Sequence, residues 1–343
     1  MRPCGVSRLA AFRGAAAAIT LVAAIVAVFL APRWHEVGDI KGQQVGAYFI
    51  AILGLNIVTG YTGQISLGHS AFMAIGGYTT AILVADHGVR DLWTIPIAGL
   101  VAGLAGFLVG VPALRLSGLY LALATFGLAV AMPDLLKWEK LDFLTQKGKL
   151  ILLFGNPDLT GKGFENVSVL GHSLTFTRFV YYLTWSVALV LLLVAWLLLR
   201  GAPGRAFRAV RDSEVAAMSS GVSIAAYKTL AFAISAAYAG IAGSLIVIFA
   251  YSVDPSSFPA KLSLTLLVGA VVAGLGSLWG VLAGAAFIVF LPEAAVHISK
   301  AQGVPDTVYG FALILIVLLL PTGFAGGLRR MVSPLTSRLY TRS

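Results

Sequence analysis

The chain is predicted to be an all-α, polytopic membrane protein with about ten transmembrane segments, some of them Gly-broken or re-entrant. Three observations predict it. Of 343 residues, 59% are hydrophobic and 11% charged, against roughly 25% charged in ordinary soluble domains. The mean hydropathy is +0.92. Apolar runs near the ~20 residues needed to cross a bilayer recur along the whole length. A soluble fold of this size has too much surface to cover with so few charges.

The first element is the apolar run from Ala15 to Ala31, preceded by Arg2, Arg8 and Arg13. That charge order is also that of a signal peptide. The run is long for a signal core and ends without a small-x-small cleavage site, so it reads as a retained transmembrane helix. Further spans are placed near 43–59, 66–85, 93–113, 116–135, 178–199, 227–250, 262–275, 279–291 and 306–326. Leu262 to Leu291 contains no charge and is either one long tilted helix or two segments folded around Gly274-Leu275-Gly276-Ser277. Basic residues decide between them. Arg200, Arg205, Arg208, Arg211 and Lys228 mark one cytoplasmic segment, and Arg329, Arg330, Arg338 and Arg342 mark a cytoplasmic tail. An even number of crossings must separate the two, which requires the split. Residues 1–343 then form a single transmembrane domain with both termini inside, an extracytoplasmic loop at 136–177 and a cytoplasmic loop at 200–226.

Composition also removes several function classes. A single cysteine, Cys4, permits no intramolecular disulfide and no zinc cluster by itself. The net charge of +10 sits between and beside apolar runs, as topology determinants do, so it argues for a bilayer and against nucleic acid. His35, His69, His87, His172 and His297 are scattered without metal-ligand spacing, and no metal, cofactor or catalytic residue is expected. Gly155–Gly163 (GNPDLTGKG) mimics a phosphate loop, but its spacing is one residue too long and Gly163 stands where Ser or Thr should hold magnesium. Ion-coupled secondary transport wants an acidic or basic group inside a span. The spans hold Asp134 near one end and no mid-membrane carboxylate.

One stretch stands out against this background. Between Asn56 and Ser70 the chain carries Asn56, Thr59, Tyr61, Thr62, Gln64, Ser66, His69 and Ser70, interrupted by Gly60, Gly63 and Gly68. Non-helical backbone at membrane depth survives only where protein or water satisfies it. A second glycine-broken stretch, Val272–Gly284, holds Gly274, Gly276 and Ser277. Paired interruptions in the two halves of a chain point to a transporter's binding region. The candidate substrate path is therefore Asn56, Thr59, Gln64, Ser66, His69 and Ser70 facing Gly274, Gly276 and Ser277. The competing explanation is that small residues only let helices approach closely.

The segments GLNIVTGYTGQISLGHSAFMAIGGYTTAIL, LRLSGLYLALATFGLA, GRAFRAVRDSEVAAMSSGVSIAAYKTLAFAISAAYAGIAGSL and AGLGSLWGVLAGAAFIVFLPE, in that order, resemble the permeases of branched-chain amino acid ABC importers, of the LivM type. The resemblance runs from about residue 40 to about residue 330. It implies a bacterial inner (plasma) membrane subunit of an ATP-driven, binding-protein-dependent importer. Its implied partners are a second homologous permease, two cytoplasmic ATPase subunits that use the ATP, and an extracytoplasmic substrate-binding protein. It implies branched-chain amino acids as cargo, with urea or short-chain amides as the alternative. Such permeases resemble one another in an EAA-x-x-x-G loop that docks on the ATPase. Ala216, Ala217 and Gly221 match it, with Glu214 one place early, so the coupling residues are expected among Gly204, Arg205, Arg208, Glu214, Ala216, Ala217 and Gly221 on an amphipathic helix from Ala206 to Ser219.

Overall fold

The structure is a computed structural model. It describes residues 36–85, 92–116, 118–138 and 176–298, short pieces at 149–150, 167–169 and 172–174, and eight separate positions between 307 and 326. The expected first helix at 15–31, the phosphate-loop mimic, most of the 136–177 loop and the basic tail lie outside the described residues.

Ten α-helices occur among them. They are α1 (Glu36–Leu55), prolonged by a π-helical turn at Asn56–Tyr61, then α2 (His69–Ala85), α3 (Thr94–Ala113) and α4 (Leu119–Leu136). After short strands β1 (Lys149–Leu150), β2 (Val167–Val169) and β3 (His172–Leu174) come α5 (Phe176–Arg200), α6 (Ala202–Asp212), α7 (Glu214–Ser219) and α8 (Ile224–Ala250). Strand β4 (Ser252–Val253), α9 (Ala260–Ala273) and α10 (Val281–Ile298) follow. The chain is an all-α polytopic membrane protein.

The count of about ten full spans needs correcting for the described residues. Five helices there are long and apolar enough to cross a bilayer: Ile40–Tyr61, α3, α4, α5 and α8. The apolar helices His69–Val84, Ala260–Ala273 and Val281–Ala295 are shorter. The expected spans at 15–31 and 306–326 lie wholly or largely outside the described residues, and the other three fall short because the backbone spends apolar residues on breaks. Residues 62–68 are not helical, so α2 starts at His69. Gly274 and Gly276 take φ of +95° and +80°, so α9 ends at Ala273, covering about 21 Å of a ~30 Å hydrocarbon core. The uncharged run 262–291 is two helices, as the charge parity requires.

Helix α8 is the centre of the packing. It lies against α3, α2 and α1, while α9 and α10 pack on each other and on α1, and α5 covers another side of α1. Glycines permit the closest of these approaches. Gly99, Gly103, Gly106 and Gly110 recur at spacings of four, three and four, which places them on one face of α3. A Cβ on any of them would meet Ile241, Ala237, Ala236 or Phe232 of α8. The other face of α3 carries exposed Leu100, Leu104, Phe107, Leu108 and Val111. With no hydrophobic force between helices in lipid, this close packing is what holds the bundle.

Polar contacts gather the helix ends. Lys41 of α1 pairs with Glu293 of α10, Gln43 Nε2 donates to the Thr177 carbonyl at 2.5 Å, and β1 pairs antiparallel with β4. The opposite end of α1 meets α6 and the break between α9 and α10.

The α3–α8 contact yields a stability prediction. Gly240→Val, whose Cβ would press on Ala102 and the Ala98 carbonyl, should cost about 1–3 kcal/mol by overpacking. Gly127→Ala, which meets nothing within 4 Å, should be neutral or gain up to about 1 kcal/mol of helix propensity. Thermal unfolding in detergent separates them: the midpoint should fall for the first and not for the second.

Candidate functional site

The site begins where α1 changes pitch. From Asn56 to Tyr61 the helix widens into a π turn, a feature common at functional sites. Gly60 is needed there, because a side chain would collide with the Asn56 amide and the Gly276 nitrogen. Gly63, at φ +73°, ends the turn. Gln64 N reaches back to the Val58 carbonyl at 3.1 Å, and Thr62 Oγ1 donates to the same carbonyl at 2.5 Å.

Asn56 is fully buried, and its carboxamide joins the two broken stretches. Its Oδ1 accepts from Gly276 N at 2.8 Å, and its Nδ2 donates to the Ser277 carbonyl at 2.8 Å. One side chain thus satisfies a donor and an acceptor that the α9–α10 break would otherwise leave orphaned. The structure brings Asn56, Gly274, Gly276 and Ser277 to one place.

The irregular residues between are tied down one by one. Leu67 N donates to Thr125 Oγ1 of α4 at 2.9 Å. Ser70 N donates to Ser263 Oγ of α9, whose hydroxyl in turn donates to Ser70 Oγ at 2.8 Å. His69 Nε2 lies 3.0 Å from Ser235 Oγ of α8, which donates to the Gly54 carbonyl. Ser70 is thus committed to helix contact. Buried Thr59 Oγ1, Ser66 Oγ and His69 Nδ1 instead have no hydrogen-bond partner among the described residues. Three neutral groups able to accept or donate are concentrated in one broken segment.

The 200–226 segment departs from the expected single helix. It forms two, α6 and α7, because Ser213 turns extended and caps α7, its Oγ accepting from Ala216 N at 3.3 Å. Gly204 lets α6 fold back on the end of α5, since a Cβ there would strike the Leu199 carbonyl. Arg208 Nη1 donates to that carbonyl at 3.3 Å, and Arg205 Nη1 to the Arg200 carbonyl at 3.4 Å. Glu214 pairs with Lys228 of α8 at 2.7 Å, which anchors α7. Gly221, at φ +78°, closes α7 with Gly221 N→Met218 O and Val222 N→Ala217 O bonds of 2.9 and 3.0 Å, the glycine-dependent Schellman stop. Ala217 is buried, whereas Ala216 is exposed beside Val215 and Met218, at 70% and 57% exposure. The outward face of α7 is therefore apolar and includes two side chains the motif does not name.

Other contributors escape sequence reasoning as well. Arg211 of α6 extends its Nη1 to the Gly60 carbonyl at 2.5 Å, yet in the sequence it is one more topology-setting arginine. Ser235 and Ser263 share their helices with other hydroxyls, Thr229 and Ser244 in α8 and Thr265 in α9, so nothing in the sequence singles them out.

Residues 43–320 match the family described as branched-chain amino acid transport system, permease component. The high-affinity branched-chain amino acid transport system permease protein LivM of Escherichia coli K12 is 37% identical over 260 residues, covering 72% of this chain and 60% of that protein. The corresponding LivH protein of the same organism is 26% identical over 303 residues, covering 83% and 94%. A probable LivH of Methanocaldococcus jannaschii is 22% identical over 303 residues, covering 84% and 91%. The aligned chain thus spans about three fifths of the length of the LivM relatives. No solved structure matches the chain.

The Asn56 bridge is testable on its own. Asn56→Leu removes both bonds and orphans two backbone groups, at about 1–3 kcal/mol each. Asn56→Asp keeps the acceptor for Gly276 N and loses the donor to Ser277. Thermal midpoints in detergent should rank wild type above both variants; an Asn56→Leu midpoint equal to wild type would show that the bridge contributes nothing.

Proposed function

The chain belongs to the branched-chain amino acid transport system permease family, and on that premise we propose that it is one membrane subunit of an ATP-driven importer of branched-chain amino acids in the bacterial inner membrane. In this reading it pairs with a second, related permease. The pair stands on two cytoplasmic ATPase subunits and receives cargo from an extracytoplasmic binding protein. The match over 43–320 carries the reading, because it spans both broken stretches and the segment between them.

The proposed topology is ten segments with both termini inside. The outer end holds the Lys41–Glu293 pair and the β1–β4 contact; the inner end holds α6 and α7. The proposed path follows the polar segment. Thr59, Ser66 and His69 supply neutral hydrogen-bonding groups for the ammonium and carboxylate ends of the cargo, without a fixed charge that would trap it. Asn56, Gly274, Gly276 and Ser277 form a seam that closes the path in this conformation, Ser70 holds the seam's far side through Ser263, and Gln64 lies toward the inner mouth. For coupling, α7 is the part that enters the ATPase. Val215, Ala216 and Met218 face outward, while Gly204, Arg205, Arg208, Glu214, Ala217 and Gly221 set its angle against α5, α6 and α8.

The direct test is uptake of labelled leucine by proteoliposomes containing both permeases, the ATPases and the binding protein. ATP-dependent leucine uptake is expected; uptake of urea or acetamide and not leucine would replace the proposed cargo. Coupling is tested by Ala216→Glu, which places a carboxylate in the docking face at a cost of several kcal/mol if it is buried unpaired. It should cut uptake at least tenfold while leaving insertion and expression unchanged, and normal uptake would exclude α7 as the docking element. Cysteines at Gln64 and Ser66 in a Cys4→Ser background test the path. Both should react with small polar thiol reagents during ATP turnover, and inert positions alongside continuing transport would assign these groups to packing.

A further inference from the structure

A cavity of about 290 Å3 opens at the inner end of the polar segment, where α6 and α7 meet the foot of α4. Its wall combines three chemistries. Gln64 contributes a neutral amide from the broken segment; Leu116, Leu121 and Val210 contribute an apolar side; Arg211 and Asp212 contribute a cation and an anion.

The two charges are notable for what they do not do. Glu214 and Lys228, also in the wall, neutralise each other at 2.7 Å. Among the described residues, Arg211 is held through Nη1 by the neutral Gly60 carbonyl. Among the described residues neither Arg211 nor Asp212 takes part in an ion pair. A guanidinium has five donors in a fixed fork. With Nη1 occupied by Gly60, its remaining edge is still able to receive a carboxylate bidentately.

We propose that this cavity binds a zwitterionic amino acid with an apolar side chain as the last station before release into the cytoplasm. The carboxylate pairs with Arg211, the ammonium with Asp212, and the side chain rests on Leu116, Leu121 and Val210. Both charges of the ligand are matched and its apolar part is covered, a combination a neutral amide or urea does not exploit. The site also has a mechanical consequence. Arg211 touches the π turn at Gly60 and packs beside Gly63 and Gly276, so a carboxylate on its free edge is sensed at both broken stretches. The inference rests on the reading of the cargo as a branched-chain amino acid.

The test uses the assembled permease–ATPase complex in nanodiscs without the binding protein, whose own site would mask the signal. Leucine binding is measured by calorimetry or saturation-transfer NMR, alongside isovalerate, which lacks the ammonium, and isoamylamine, which lacks the carboxylate. Leucine should bind at least tenfold tighter than either. Arg211→Ala should weaken leucine at least tenfold, and Arg211→Lys, a point charge in place of a fork, and Asp212→Asn severalfold each. The two milder variants keep the test open if Arg211→Ala fails to assemble. Leucine uptake by the reconstituted importer together with no leucine binding to this complex overturns the cavity inference and leaves the transport reading standing. Absence of both uptake and binding overturns both. Leucine binding unchanged in all three variants places the ligand elsewhere and overturns the inference.

Discussion

The structure depends on satisfying backbone polar groups where two apolar helices are broken inside the bundle. Backbone groups freed at a break within apolar helices need partners from protein or water. Asn56 meets that need across the chain, 220 residues from Gly276, with one carboxamide. A hydroxyl offers a single hydrogen to donate, and a carboxylate offers none. An amide gives a donor and an acceptor on one planar group, matched to the N–H of Gly276 and the C=O of Ser277. The π turn follows from the same need. Widening α1 at Asn56–Tyr61 exposes the Gly60 carbonyl, and Arg211 then covers it.

From that seam the rest of the architecture can be understood. Helix α8 is central because small residues let α2 and α3 approach it closely, and α9 and α10 stay short because they meet at the break. The 200–226 segment reaches the seam directly, since α7 is anchored by Glu214–Lys228 and Arg211, in the last turn of α6, contacts the Gly60 carbonyl. In the proposed coupling, a push on the outward face of α7 would be delivered within a few residues to both broken stretches. Such a connected set of rigid helices and hydrogen bonds is the physical form that coupling between distant sites takes.

Much of this was legible in the sequence, and what was not has identifiable causes. The density of hydroxyls, amides and glycines at 56–70 located one broken stretch, and Gly274–Ser277 located the other. Charge parity separated α9 from α10 without any structural information. The boundaries were less legible: α2 starts three residues later than expected because residues 66–68 belong to the break, whereas α5, α8 and α10 run longer than their apolar cores. The π turn was invisible because six residues are too few to separate its pitch from that of an α-helix. Arg211 was hidden because a cytoplasmic arginine that sets topology and one that covers a carbonyl look alike in a list of residues. A single helix over 206–219 places Ser213 in its interior, yet a serine whose side chain can accept from the N–H three residues on also begins a helix, as Ser213 does for α7.

The central claim is that the Asn56 seam is a closed joint that opens during transport. It is tested most directly by the distance between spin labels at Tyr61 and Leu275, on the two sides of the seam, in a Cys4→Ser background within the assembled importer. Electron–electron resonance should give one short, narrow distance without nucleotide. With ATP trapped in the ATPases a second population should appear, longer by about 5 Å, the scale of a one-turn helix displacement. A single unchanged distance in every state of an actively transporting complex would contradict the claim and make the seam a fixed structural tie.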